Sequence, residues 1–321
     1  MRAAVIGAGN MGRNHLRTYA KLNDVQLVAL ADINPEAERL ADEYSVDFFQ
    51  DFEKMLDTAK PDMVSVVVPT PLHFPIAKAV MTRGIHCLVE KPIASSPEEG
   101  RKLIELAKKH SVIFTVGHIE HYNPMIRKMK DLVVNREIGE ITSVVVRRVG
   151  GFPSVEPKTD VIIDLAVHDI DIISHLLGRQ PDSVYGHGSR TLHSSQVDSA
   201  EIFMDYGVAS GFIQANWITP VKIRHIAVTG TNGYVEGNYI TQELTYYKHN
   251  MKDLRDENFK NFVEELGEPE KRHIVDTPQE PLANELFEFK QAVLSGNASH
   301  LVKPEEACEA LQIALTALKN Q

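Results

Sequence analysis

Apolar positions in the first third of the chain come as short, predominantly apolar runs, at residues 3–6, 25–31, 63–68, 85–89 and 112–116. Runs of this length without polar alternation are what strands buried on both faces require. Between them, residues 73–82 and 97–109 repeat apolar positions every three or four residues, the period of an amphipathic helix. Strands alternating with helices predict a parallel, doubly wound sheet over residues 1–118, with ligands bound beyond the carboxyl ends of its strands.

After residue 118 the pattern changes. A helix is predicted over 124–134, an alternating strand over 141–149 and a helix over 161–177. Strand-like runs at 197–206, 208–217 and 222–230, joined by short Gly, Pro or Asn turns, then read as an antiparallel meander. A charged stretch from 252 to 271 reads as a surface insertion, and two amphipathic helices close the chain near 282–294 and 304–318. Residues 119–321 are therefore expected to form a separate α+β domain.

Composition narrows the classes. The 321 residues suffice for two domains of roughly 100–200 each, and 43% hydrophobic with 24% charged residues is ordinary for a folded globular chain. A formal charge of -10 repels nucleic acid and anionic membrane, so neither is expected as a partner. Two cysteines, Cys87 and Cys308, cannot build a disulfide framework. Without a secretory leader or an apolar span of about 20 residues, a reduced cytoplasmic location is expected.

The first strand runs into Gly7-Ala8-Gly9-Asn10-Met11-Gly12 and then a helix. In such a turn the first glycine takes the bend, the second lets backbone approach a pyrophosphate, and the third lets helix pack on strand. Asn10 and Met11 open the helix whose N-terminus faces the anion. The second strand ends in Asp32, 20 residues after Gly12, where a carboxylate can accept hydrogen bonds from an adenosine ribose. Its alternative role is a helix cap before Pro35. With no cation following it to receive a ribose phosphate, NAD is expected rather than NADP. Thr70 and His73, in Pro69-Thr70-Pro71-Leu72-His73, and Glu90-Lys91-Pro92 lie at later strand ends and complete the expected cofactor-binding set, Lys91 being aimed at the nicotinamide; the alternatives are prolines that only end the strands and a solvated loop lysine.

In the helix over 161–177, Asp164, His168, Asp171 and His175 recur at i, i+4, i+7 and i+11, and no Lys, Arg or Glu lies between Asp160 and Gly178. That is a polar seam on a buried helix. An Asp one turn before a His orients the imidazole and stabilises its protonated form, as a general base requires; the alternative is a pair of satisfied buried polar groups. No metal is expected, because His118-Ile-Glu-His121 and the Asp/His seam lack the HExxH spacing.

The motifs GAGNMG at 7–12, PTPLH at 69–73, EKP at 90–92 and DLAVH at 164–168, in this order over nearly the whole chain, resemble the Gfo/Idh/MocA oxidoreductases. The resemblance implies a Rossmann domain followed by an α+β domain with a large, mostly antiparallel open sheet, through which a homo-oligomer, dimer or tetramer, would assemble. It also implies a catalytic group of Lys91, Asp164 and His168. VGHIEHYNP at 116–124 and DVIIDLAVHDIDI at 160–172 are most similar to the nucleotide-sugar branch of UDP-N-acetylglucosamine 3-dehydrogenases, although that branch commonly reads Arg-Phe-Asn-Pro where this chain has His121-Tyr122-Asn123-Pro124. Tyr122 and Asn123 are expected to touch the sugar and Arg147, with Arg148, a diphosphate, beside Lys91 and His168 at the reacting hydroxyl; the alternative for the two arginines is a strand with ordinary surface charges. The expected reaction is hydride transfer from a sugar-ring hydroxyl to NAD. A free-sugar or inositol-type polyol dehydrogenase and a non-catalytic NAD-binding sensor are the alternatives.

Overall fold

The computed structural model describes residues 1–153, 157, 159–192, 195–248, 270–274 and 278–319; the charged stretch expected as an insertion lies, up to residue 269, outside the described residues. The chain forms two compact units, Met1–Tyr122 with Gln279–Gln312, and Asn123–Pro278 with Ile313–Gln321. This differs from a single division at residue 118: the segment 279–312, grouped with the second half by sequence order, belongs to the N-terminal unit.

In that unit β1 (Arg2–Ile6), β2 (Gln26–Ala31), β3 (Asp47–Phe49), β4 (Met63–Val66), β5 (His86–Glu90) and β6 (Phe114–Gly117) make one parallel sheet in the order β3-β2-β1-β4-β5-β6. The helices α1 (Asn10–Tyr19), α2 (Glu38–Glu43), α3 (Phe52–Ala59), α4 (His73–Thr82) and α5 (Pro97–His110) supply the crossovers. β1 and β4 are neighbours, and the helices after them cross to opposite sides, which opens a crevice at the carboxyl ends of both. The central strands are buried on both faces, as their predominantly apolar runs require: Ala3, Ala4, Val5, Met63, Val64 and Leu88 are fully buried.

The returning segment completes this core. In α8 (Pro281–Ser295), Leu286 and Phe289 are buried in one cluster with Leu16 and Tyr19 of α1 and Leu30 of β2. Burying two such side chains stabilises the unit by roughly 1.5–3 kcal/mol each. Lys290 donates to the Asn23 carbonyl, and Arg17 pairs with Glu280.

The second unit contains α6 (Pro124–Val134), β7 (Ile141–Val149), α7 (Val167–Leu177), β8 (Ser183–Ser189), β9 (Ser199–Asp205), β10 (Ser210–Asn216), β11 (Ile223–Gly230), β12 (Gly233–Asn238), β13 (Leu244–Lys248) and β14 (Glu270–Ile274). The end of α9 (Pro304–Lys319) also belongs to it. Its strands form one eight-stranded sheet, β14-β13-β12-β11-β7-β10-β9-β8, antiparallel except for the β7–β10 pair. The expected meander is corrected here. β10 and β11, successive in sequence, are separated in the sheet by β7, whose β-branched run fills the centre. Alternation sets the faces of β7: Val144, Val146 and Arg148 are buried, whereas Val145 and Arg147 point to the exposed side. α7 covers the inner face, where Ile173 packs so closely on Gly211 that a Cβ there would lie 3.0 Å away. No helix among the described residues is long and apolar enough to cross a membrane.

Candidate functional site

A cavity of about 550 Å³ opens at the carboxyl ends of β1, β2, β4 and β5, and its wall includes Gly7, Gly9, Asn10, Met11, Asp32, Glu90 and Lys91. The glycines differ in what demands them. Gly7 has φ +105°, and a Cβ there would meet the Val67 carbonyl oxygen at 2.1 Å; at Gly12 it would meet the Gly7 carbonyl oxygen at 2.0 Å. Both are fixed by the chain's own packing, and Gly12 serves the cofactor turn by close packing without reaching the wall. At Gly9 a Cβ would touch nothing within 4 Å, so the space beside it belongs to the cavity. Gly9 also caps α1 without a side-chain hydrogen bond, and the first turn carries no acid. The leading N–H groups of that helix therefore remain for an anion, and the cradle fits a dinucleotide pyrophosphate.

Asp32 accepts from the Ala8 amide at 2.6 Å through Oδ2 and from the Asn34 amide at 2.8 Å through Oδ1. The cap before Pro35 is Asn34, which accepts from the Glu36 amide. Asp32 thus ties the end of β2 to the glycine turn while its carboxylate lines the cavity, with lone pairs left for ribose hydroxyls.

The wall passes from Pro69 to Leu72 without Thr70 or His73. Thr70 begins a 3₁₀ turn, Thr70–Leu72. His73 is buried, with Nδ1 2.8 Å from the Pro92 carbonyl and Nε2 2.8 Å from that of Val68. Burial pushes its pKa down against the pull of the two carbonyls, so a neutral ring donates to one of them at a time. It ties two strand ends together and does not line the cavity wall.

Beneath Lys91 lies a buried group that sequence reasoning missed. Glu90 accepts from His15 of α1 (Nε2 to Oε1, 3.0 Å) and from the Lys91 amide (3.3 Å), and a Cβ on Gly117 would crowd its carboxyl at 3.1 Å. Glu285 of α8 is 1% exposed, and neither carboxyl oxygen has a hydrogen-bond partner among the described residues. Burial, then the charges of Glu90 and Glu288, push its pKa well above the usual carboxylate range. Burial also raises that of Glu90, but the hydrogen bond and charge of His15 and the charge of Lys91 outweigh it, and the net shift is downward. Two carboxylates in one dry site cannot both ionise cheaply, and the proton rests on Glu285. The signal for His15 was available: it occupies an inward position of α1 with Leu16 and Tyr19.

This carries a stability prediction. Above the unfolded carboxyl pKa near 4.5, the folded protein retains a proton that the unfolded chain gives up, so stability falls as pH rises, by about 1.4 kcal/mol per pH unit while Glu285 stays protonated. Glu285→Gln, uncharged at every pH, should match the parent near pH 4 and exceed it increasingly toward neutrality. Urea unfolding of both proteins across that range measures the difference; parallel curves would contradict the buried neutral acid.

In the second unit, Asp164 sits within a π turn, Ile162–Ala166, closed by the Val167 amide on the Ile162 carbonyl, and α7 follows with His168 in its first turn. The wider winding turns Asp164 relative to His168 by an amount the 3.6-residue period does not supply, whereas His168, Asp171 and His175 keep their expected spacing within α7. Asp164, His168 and His175 are half-buried and Asp171 is buried. Such π turns recur at functional sites.

Three residues expected at the substrate make contacts within the protein. Tyr122 is 1% exposed; its hydroxyl accepts from the Val302 amide and its carbonyl from Asn284. Asn123, also buried, caps α6 through the Met125 amide and donates to the Tyr239 carbonyl. Arg147 lies on the exposed face of the sheet and donates to Gln214 at 3.1 Å, opposite the face covered by α7. Strand alternation, which puts successive residues on opposite faces, separates it from Arg148, buried against Asp169. Among the described residues no three His, Cys, Asp or Glu side chains gather to hold a metal.

A model of the oxidoreductase family with an NAD-binding Rossmann fold matches residues 1–118, and the GFO/IDH/MocA C-terminal domain matches residues 126–236. UDP-N-acetylglucosamine 3-dehydrogenase of Acidithiobacillus ferrooxidans is 29% identical over 249 residues, 77% of each chain. The scyllo-inositol 2-dehydrogenase (NAD(+)) of Bacillus subtilis is 30% identical over 251 residues, 73% of each. The solved structure of the A. ferrooxidans enzyme matches with a TM-score of 0.86 at 25% identity, covering 100% of this chain and 97% of that one. Both family domains occur in order, on the parallel sheet with its glycine cradle and on the eight-stranded sheet, and the chain belongs to the Gfo/Idh/MocA family of NAD-dependent oxidoreductases.

Proposed function

We propose that this protein oxidises a ring hydroxyl of a sugar, most specifically C3 of a UDP-linked N-acetylhexosamine. The observation that carries the reading is Lys91 at the end of β5, in the wall of the same cavity as the glycine turn and Asp32. Bound NAD supplies the acceptor for the hydride that leaves the carbon. The glycine turn from Gly9 to Met11 would hold its pyrophosphate and Asp32 its ribose. Lys91 steadies negative charge developing on the substrate oxygen, and His168, oriented by Asp164, takes the hydroxyl proton.

Similarity to the A. ferrooxidans enzyme supports the nucleotide sugar. A polyol substrate has its own support in the similar identity to the inositol enzyme. Initial rates of NADH formation with UDP-sugars, free sugars and inositols decide between them. Turnover confined to inositols would replace the nucleotide-sugar reading.

Cofactor choice is tested at Asp32. Loosening of the glycine turn in Asp32→Ala affects both dinucleotides, but loss of the ribose contact affects NAD alone, so the ratio of NAD to NADP affinity should fall. An unchanged ratio in fluorescence titrations would remove the ribose role.

We further propose a cytoplasmic homo-oligomer assembled through the second sheet. Tyr185, Phe203, Phe212 and Val145 are register partners in a row across β8, β9, β10 and β7, and all are exposed. An apolar row of this kind marks an interaction surface. Sedimentation equilibrium should show a dimer or tetramer that Phe203→Lys weakens.

A further inference from the structure

Arg148 stands at an inward position of β7, the strand between β10 and β11 in the middle of the sheet. Its Nε lies 2.9 and 2.8 Å from the two carboxylate oxygens of Asp169, and its Nη2 donates to Oδ1 at 2.8 Å. The Arg148 side chain is 7% exposed and that of Asp169 is 0%. The guanidinium also sits 4.8 Å from the ring centroid of Tyr239, whose backbone is held by Asn123 Nδ2 at its carbonyl and by the Arg224 carbonyl at its amide. The cation is thus confined by a carboxylate and by an aromatic face.

Asp169 is the residue after His168. Upstream, the π turn leaves the helix without a single rotational period, so its facing has to be fixed from outside. Its start is tied by the Val161 amide to the Val197 carbonyl and by the Val197 amide to Asp160. Its far end is held by Lys130, which donates to the carbonyls of His175 and Leu176, and by the Ser174–Tyr206 bond. The stretch around His168 has Arg148 as its tether to the central strand.

We propose that Arg148 is a positioning residue for His168: through its two-pronged pair with Asp169 it fixes the rotation of α7, and with it the direction in which the histidine is presented. This rests on the reading of His168 as the proton acceptor. A buried ion pair is a poor stabiliser, because desolvation offsets most of the attraction, and a well-packed apolar pair often replaces it without loss of stability. Its placement in the first turn of α7 is accounted for by geometry, since a small misplacement of a reacting group costs about a hundredfold in rate.

The test is the double variant Arg148→Met with Asp169→Leu, which removes both charges together. It should melt near the parent and bind NADH with about the parental affinity, while kcat falls about a hundredfold and KM stays within about threefold. The His168 imidazole resonance, assigned by its loss in His168→Asn, should titrate at a shifted pH. Arg148→Lys, which keeps the charge but not the fork, should lie between parent and double variant in kcat. A folded double variant with parental kcat and parental His168 titration would reduce the pair to a structural one and overturn the proposal. If the double variant does not fold, Asp169→Asn, nearly identical in shape, is read for the same two quantities with the same criteria. The titration needs no substrate: a shifted titration in a protein that turns over no sugar or polyol would retain the positioning role and sink the proposed reaction instead.

Discussion

Lys91→Met should bind NADH nearly as the parent does and lose two to three decades in turnover. Lys91 is half-buried in the cavity wall, where Glu90 accepts from its amide and is held in turn by His15. The strand end is thus fixed through backbone and through Glu90, and the methionine removes the ammonium without removing that support. Binding of the dinucleotide rests on the glycine turn and Asp32, which the substitution leaves alone. A strong charge-assisted hydrogen bond to a developing oxyanion is worth roughly 3–4 kcal/mol in the transition state, which sets the expected loss. Single-turnover rates of NADH appearance, taken at saturating substrate, isolate the chemical step from product release. A rate within about threefold of the parent would take Lys91 out of the reaction.

His168→Asn should cost roughly two to four decades in turnover and flatten the acid side of the pH profile. Only the neutral imidazole accepts a proton, so alcohol oxidation in the parent must decline as pH falls through the ionisation of His168. The variant has no such ionisation to lose. The measurement is kcat/KM against pH with substrate deuterated at the reacting carbon, so that an isotope effect verifies that hydride transfer limits the rate. An unchanged acid limb with near-parental rate would assign proton removal to Lys91 or to water.

Much of the N-terminal unit was legible in sequence because its strands are buried on both faces. Residues 63–68 and 85–89 have no amphipathic ambiguity, and the glycine turn gives its positions away by backbone demand. β3, three residues long, carries too little pattern to be read. The position of β7 between β10 and β11 is a non-local pairing that no local period encodes. At the site, the positions of Asp32 and Lys91 in the cavity wall were legible because a motif fixes their distance from a strand end. The hydrogen bonds of Tyr122, Asn123 and Arg147 were not legible, because their partners, Val302, Tyr239 and Gln214, lie far along the chain. His15 and Glu285 escaped for the same reason, being 75 and 195 residues from Glu90 in one direction or the other.

Completion of the N-terminal unit by residues 279–312 sets a timetable for its synthesis. The strands of the parallel sheet have all been made by residue 117, but Leu286 and Phe289, which close its core, come some 170 residues later. At roughly 5–20 residues per second, a ribosome leaves that flank uncovered for about 10–30 seconds. For that interval Leu16 and Tyr19 lack the part of their packing that Leu286 and Phe289 supply, while the entire second sheet is translated. The nascent chain is then a natural client for a holding chaperone, and a stop codon anywhere in the second unit yields an open nucleotide-binding half rather than a small independent domain.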